Sequence, residues 1–144
     1  MNPFQSLAEY EQFVYTLQQQ YPAVLRSTLT VARRGRGLVL LTGELHFTRG
    51  YRLVVYEMLT WDAGPLLIQH YGYEVWCANE KLYWYDPQPH PDQPALASTH
   101  PHHKHVAPDI KHHRIPAPGL RFDGPNLSLL IDEIEHQLGR TTTD

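Results

Sequence analysis

Four imidazoles and one ammonium occupy six consecutive residues, His100-Pro101-His102-His103-Lys104-His105. They lie in a biased segment, residues 86–118, that carries seven of the chain's 10 histidines and eight of its 12 prolines. Imidazoles that titrate near neutrality suit proton transfer, metal ligation or attraction of anions. Two routes follow from these residue types. In metal-free RNA cleavage a base removes the 2′-OH proton, an acid protonates the leaving oxygen, and cations stabilise the phosphorane. His102, His103 and His105 are the candidates for proton transfer, with Lys104 or Arg114 for charge stabilisation and Glu57, Asp86 and His90 as orienting groups. In the metal route, extended chain points His103 and His105 to one side, so the two can hold Zn²⁺ together with a carboxylate such as Asp86 or Glu57. The sequence alone calls for no cofactor and leaves zinc as the alternative.

These residues need a scaffold. Ser6, with Glu9 three residues on, opens a predicted helix over 5–20, whose stripe is Leu7, Tyr10, Phe13, Val14 and Leu17. Strand patterns follow at 24–32, 38–47, 51–60, 66–78 and 81–85, separated by short turns such as Arg33-Arg34-Gly35-Arg36-Gly37 and Asn79-Glu80. Short connections predict an antiparallel meander. A second amphipathic helix is predicted over 126–138, with Asn126 as cap, Gly139 as stop and a frayed tail over 140–144. Prolines fix φ and remove backbone donors, so the Pro/His segment reads as a long loop rather than helix or central strand. The fold class is therefore α+β. One domain over 1–144 is expected, with about five antiparallel strands flanked by an N-terminal and a C-terminal helix. The helices cover one sheet face and leave the other for solvent, binding or a homodimer.

Bulk properties narrow the function. The formal net charge of −3 excludes a globally basic nucleic-acid binder, yet protonating all ten histidines would carry it to +7. The single cysteine, Cys77, excludes an intrachain disulfide and sits in an apolar run that predicts a buried, inert thiol. No apolar stretch approaches the ~18 residues that span a membrane, and no basic-then-apolar leader opens the chain, so it reads as cytoplasmic. Tyr71, Tyr73, Trp84 and Tyr85 are candidate platforms for unpaired bases.

Several pieces, in order, resemble a known family. They are Gly43-Glu44-Leu45-His46-Phe47 with Gly50-Tyr51-Arg52-Leu53, Glu57, Tyr71-Gly72-Tyr73, and Lys81-Leu82-Tyr83-Trp84-Tyr85-Asp86. Pro89-His90-Pro91 and Pro101-His102-His103-Lys104-His105 complete the set. Over roughly 38–137 the chain resembles the TumE-type toxins of prokaryotic toxin–antitoxin modules. It departs at Trp84, where the pattern has Arg before Tyr-Asp. The resemblance implies a growth-inhibiting protein neutralised by an antitoxin encoded beside it. With the histidines, it gives a toxin acting on RNA as a metal-independent endoribonuclease. The rival readings are a non-catalytic module that docks protein or nucleic acid, and a Zn-dependent hydrolase.

Overall fold

Period-two alternation along the strands sorts side chains onto two sheet faces, and the whole architecture follows from that sorting. The computed structural model describes residues 2–62 and 64–142, with backbone alone for 141 and 142. A 3-10 turn at Pro3–Gln5 leads into α1 (Leu7–Tyr15) and α2 (Leu17–Gln20). The strands are β1 (Arg26–Ser27), β2 (Thr30–Arg34), β3 (Leu38–His46), β4 (Tyr51–Thr60), β5 (Leu67–Cys77), β6 (Glu80–Asp86), β7 (His103–His105) and β8 (Arg114–Pro116). α3 (Leu127–Thr142) closes the chain. One antiparallel sheet runs in the order β1-β3-β4-β5-β6-β7-β8, with β2 also paired to β3.

The α+β class and the antiparallel meander agree with the sequence, but eight strands replace the expected five. The first predicted strand divides into β1 and β2 while keeping one register on β3, Ser27 opposite Leu45 and Thr30 opposite Thr42. The break sits opposite Gly43, whose φ is +135°. A Cβ there would lie 2.5 Å from the Thr28 carbonyl oxygen and 2.8 Å from Leu29 Cα, so only glycine admits the crossing backbone. The other two additional strands come from the Pro/His segment, where a loop is expected. Pro101 and Pro108 bracket β7 and leave His103–His105 with free backbone donors, while Pro116 falls on the outermost strand, where a missing donor is tolerated.

The inner face presents Leu41, Leu45, Leu53, Val55, Tyr73 and Val75 to the helices. Ser6 caps α1 by accepting from the Glu9 N–H at 3.1 Å, as the sequence predicts. The predicted first helix is interrupted at Thr16, whose hydroxyl donates back to the Gln12 carbonyl at 2.7 Å. α3 is tied to the same face by Gln137, which donates to the Tyr83 hydroxyl at 2.6 Å. It continues through Gly139 to Thr142 rather than stopping at 138, and the last part of the predicted tail, 143–144, lies outside the described residues. Asn126 precedes α3 but its amide does not cap it. The side chain instead bonds the Arg121 backbone and, at 3.1 Å, the Tyr73 hydroxyl. Cys77, expected to be buried, is only half-buried.

Glu57 is a carboxyl in the middle of this core. It is fully buried, and the Tyr10 and Tyr73 hydroxyls each donate to it at 2.5 Å. Burial pushes its pKa up from 4.5 to about 7, against the opposing pull of the two phenol hydrogen bonds. Burial beside the carboxyl also raises both phenols well above their ordinary value, so they stay donors.

Two outcomes follow from this core. Gly43→Ala should destabilise the chain by at least ~2 kcal/mol, because it combines a left-handed φ with a backbone collision. Gly72→Ala, which meets nothing within 4 Å, should be neutral or stabilising by a few tenths of a kcal/mol; urea titration of the two variants checks the contrast. For Glu57 the folded carboxyl holds its proton more tightly than the unfolded one. Its favourable contribution is thus full below the unfolded value and is lost as pH rises through about 7. The loss amounts to about 3 kcal/mol across that window. Glu57→Gln should remove this component, so the stability of the variant relative to wild type should rise between pH 4.5 and 8. Parallel slopes in urea melts of both proteins would contradict it.

Candidate functional site: an Asp–His–His centre on the outer sheet face

The β6–β7 register assembles the site. Asp86 stands opposite His103 and Trp84 opposite His105, and alternation sends all four to the outer face. His103 Nε2 lies 3.0 Å from Asp86 Oδ1 and 3.0 Å from His105 Nε2. His105 Nε2 lies 3.5 Å from Asp86 Oδ2. Both Nδ1 atoms face carbonyl oxygens, His103 toward Pro101 at 3.1 Å and His105 toward Ile110 at 2.9 Å. A carbonyl only accepts, so each Nδ1 carries a hydrogen and each neutral ring presents its Nε2 lone pair to the centre. The two Nε2 lone pairs and the Asp86 carboxyl therefore converge on one point, an arrangement suited to a shared proton or a cation.

The surroundings hold this geometry. The Trp84 indole stacks flat on His105, 3.6 Å between centroids, and its N–H donates to the Ile110 carbonyl at 3.2 Å. His90 meets His103 edge-on at 4.7 Å. The His103 and His105 side chains are 1% and 3% exposed, whereas Asp86 keeps 14%, so access is from the carboxylate side. Burial works to raise the Asp86 carboxyl. Hydrogen bonds from His103 and the Gln88 N–H, with the charge of both imidazoles, outweigh it and hold the group below its usual range. Burial lowers His105, with Asp86 opposing and His103 reinforcing. Burial, Arg114 and His103 lower His90.

The structure thus brings Asp86, His103, His105 and His90 together and places the other expected residues elsewhere. Glu57 lies in the core, on the inner face. His102 also faces inward, its Nδ1 2.6 Å from the Tyr71 hydroxyl, and burial lowers its pKa, with His100 and His103 adding to the effect. Lys104, between the two site histidines, alternates inward, pairs with Glu133 at 3.0 Å and lies over the Tyr83 ring at 4.1 Å. It ties β7 to α3 and has no place in the centre. Tyr71, Tyr73 and Tyr85 are buried; of the expected base platforms only Trp84 faces outward.

Arg114, named in the sequence beside Lys104 for charge stabilisation, pairs with His105 across β7–β8, and its Nε is buried without a hydrogen-bond partner among the described residues. The rest of the outer face was missed. Arg52 lies over Trp76 at 4.6 Å, and Lys81 lies over Trp76 at 5.6 Å and Trp84 at 5.4 Å. Cations and indoles therefore alternate across the open face toward the centre. Glu44, 3.9 Å from Arg52, and Glu74, 3.5 Å from Lys81, partly offset their charge. The signal was present, since Trp76 falls in phase with Gly72 and Glu74 rather than with buried Tyr73 and Val75.

No helix among the described residues is long and apolar enough to cross a membrane. No curated protein and no solved structure matches the chain. A family model described as Toxin TumE matches residues 14–138, which take in the end of α1, α2, the whole sheet, most of α3 and every residue of the centre. The chain belongs to the TumE family, the toxin half of a toxin–antitoxin module, and a cognate antitoxin is its implied partner.

Proposed function

We propose that this toxin acts on RNA and cleaves its phosphodiester backbone at the Asp86–His103–His105 centre. The observation that carries the reading is the cation–indole stripe of Arg52, Trp76, Lys81 and Trp84, which crosses the exposed sheet face and ends at that centre. Indoles offer sequence-tolerant stacking to unpaired bases, and flanking cations track the phosphates. Of the two cations the sequence offered for charge stabilisation, Arg114 takes the role, its Nε being without a hydrogen-bond partner among the described residues, while Lys104 pairs inward with Glu133.

The geometry changes the expected division of labour. A base and an acid that act in metal-free cleavage flank the phosphorus, because attacking and leaving oxygens lie roughly in line on either side of it. Two Nε2 atoms 3.0 Å apart cannot bracket a phosphodiester in that way. His103 and His105 therefore act together at one pole of the reaction, with Asp86 as their shared carboxylate.

Expressed without its antitoxin, the wild type should arrest growth and fragment RNA. His105→Ala should lower cleavage by about 10²–10⁴-fold, as loss of a group that handles the reacting proton does. Lys104→Ala should retain cleavage within a few-fold and lose thermal stability instead. Intact RNA in arrested wild-type cells, and in vitro with purified protein, would end the RNA reading. Binding of single-stranded RNA by the His105→Ala protein should weaken on replacing Arg52 and Lys81 by Ala. The slope of log K against log salt should flatten by about 0.7 per phosphate contact removed. An unchanged slope would place the RNA away from this face.

A further inference from the structure

We propose that Asp86, His103 and His105 form a binding site for one divalent transition-metal ion of the zinc class. The proposal deepens the RNA-cleaving reading, on which its catalytic meaning rests, and makes the two imidazoles ligands in place of proton carriers; the site itself is argued from geometry alone. Nitrogen and oxygen ligands at about 2.0–2.2 Å from a metal lie about 3.0–3.5 Å from one another at a shared coordination sphere. Here His103 Nε2 lies 3.0 Å from His105 Nε2 and 3.0 Å from Asp86 Oδ1, and His105 Nε2 lies 3.5 Å from the other carboxylate oxygen, Asp86 Oδ2. Each residue offers one ligand atom, and all lie within 4.8 Å of one another.

The tautomers are set for this task. Hydrogen bonds from Nδ1 to the Pro101 and Ile110 carbonyls leave Nε2 as the ligating atom on both rings. Such outer hydrogen bonds are what orient metal-bound imidazoles. A single proton can close only part of a three-acceptor arrangement, whereas a divalent cation satisfies all three at once. The stacked Trp84 and edge-on His90 fix the rings before any ion arrives.

Ligand chemistry selects the ion. Two imidazoles and one carboxylate suit Zn²⁺ and its late first-row neighbours, whereas Mg²⁺ and Ca²⁺ require mostly oxygen donors. Three protein ligands leave at least one coordination position for water or a phosphate oxygen, the pattern of reactive rather than structural zinc sites. The opening on the Asp86 side gives that position its access. Arg114 Nε, on the residue opposite His105 and buried without a hydrogen-bond partner among the described residues, supplies a donor that a metal-bound anion would satisfy.

The test uses the full chain without an affinity tag, stripped with chelator and titrated with Co²⁺ as optical probe and with Zn²⁺ in competition. Wild type should bind one Co²⁺ with visible d–d absorption, lose it to Zn²⁺, and gain thermal stability with Zn²⁺ but not Mg²⁺. Asp86→Asn, close in volume, and His105→Gln should each weaken binding by more than tenfold, with folding of the metal-free variants verified by circular dichroism. A His112→Ala/His113→Ala double variant should bind as wild type does. Should either site variant fail to fold, the wild-type stoichiometry and the double variant still decide the matter. Absence of one-to-one binding to the folded wild type, or loss of binding in the double variant alone, would overturn the site. RNA cleavage is scored separately on the same samples. Metal binding with RNA left intact upholds the site and removes the RNA reading, whereas cut RNA with no bound metal does the reverse.

Discussion

The register between β6 and β7 is the constraint on which the site depends. It opposes Asp86 to His103 and Trp84 to His105 through only three paired residues of β7. Side chains alternate strictly along a strand, so a slip of one residue would turn both imidazoles into the core and bring Lys104 out among the acceptors. Several contacts resist that slip. Lys104 is held by Glu133 and by the face of Tyr83 on the inner side. Both imidazoles are held by carbonyls on the outer side. β8 closes the far edge, with Lys104 opposite Ile115 and His105 opposite Arg114. The lysine that reads in the sequence as part of the chemistry is thus the bolt that fixes the chemistry's register.

A second polar arrangement lies inside the core and has a different character. Glu57 joins α1, β4 and β5 through Tyr10 and Tyr73, and Asn126 extends the network to the start of α3. Each member is satisfied within protein, as a buried polar network must be to avoid desolvation cost. None of these groups faces solvent, so the carboxyl whose pKa is raised to about 7 lies within the core network and away from the outer-face centre. A shifted pKa marks a functional residue only where a substrate can reach it.

Much of this was legible in the sequence. Period-two and helical patterns located the main strands and both helices, and the cap at Ser6 falls where the pattern puts it. The H-x-H spacing foretold that His103 and His105 share a side, and Asp86 was among the carboxylates named. What could not be read was which face each candidate occupies, because that depends on pairing between segments distant in sequence. Glu57 and Lys104 look as suitable as Asp86 until the register of β4, β6 and β7 is known. The strand inside the Pro/His segment was hidden for a related reason. Proline density argues against regular pairing, and only the placement of Pro116 on the outermost strand reconciles the two. The split of the first strand was hidden as well, since nothing in the local sequence shows that Gly43 must admit the backbone at Thr28 and Leu29.

Trp84 stands on β6 and faces outward beside His105. Its indole stacks on the imidazole at 3.6 Å. A guanidinium flanks the same histidine, because Arg114 stands opposite His105 on its other side, and the row runs Trp84, His105, Arg114. With the guanidinium on β8, position 84 is aromatic, and Lys81 lies over its indole at 5.4 Å. The same row then offers stacking on one flank of the centre and charge on the other. A single-stranded polyanion carries its bases and its phosphates apart in a similar way.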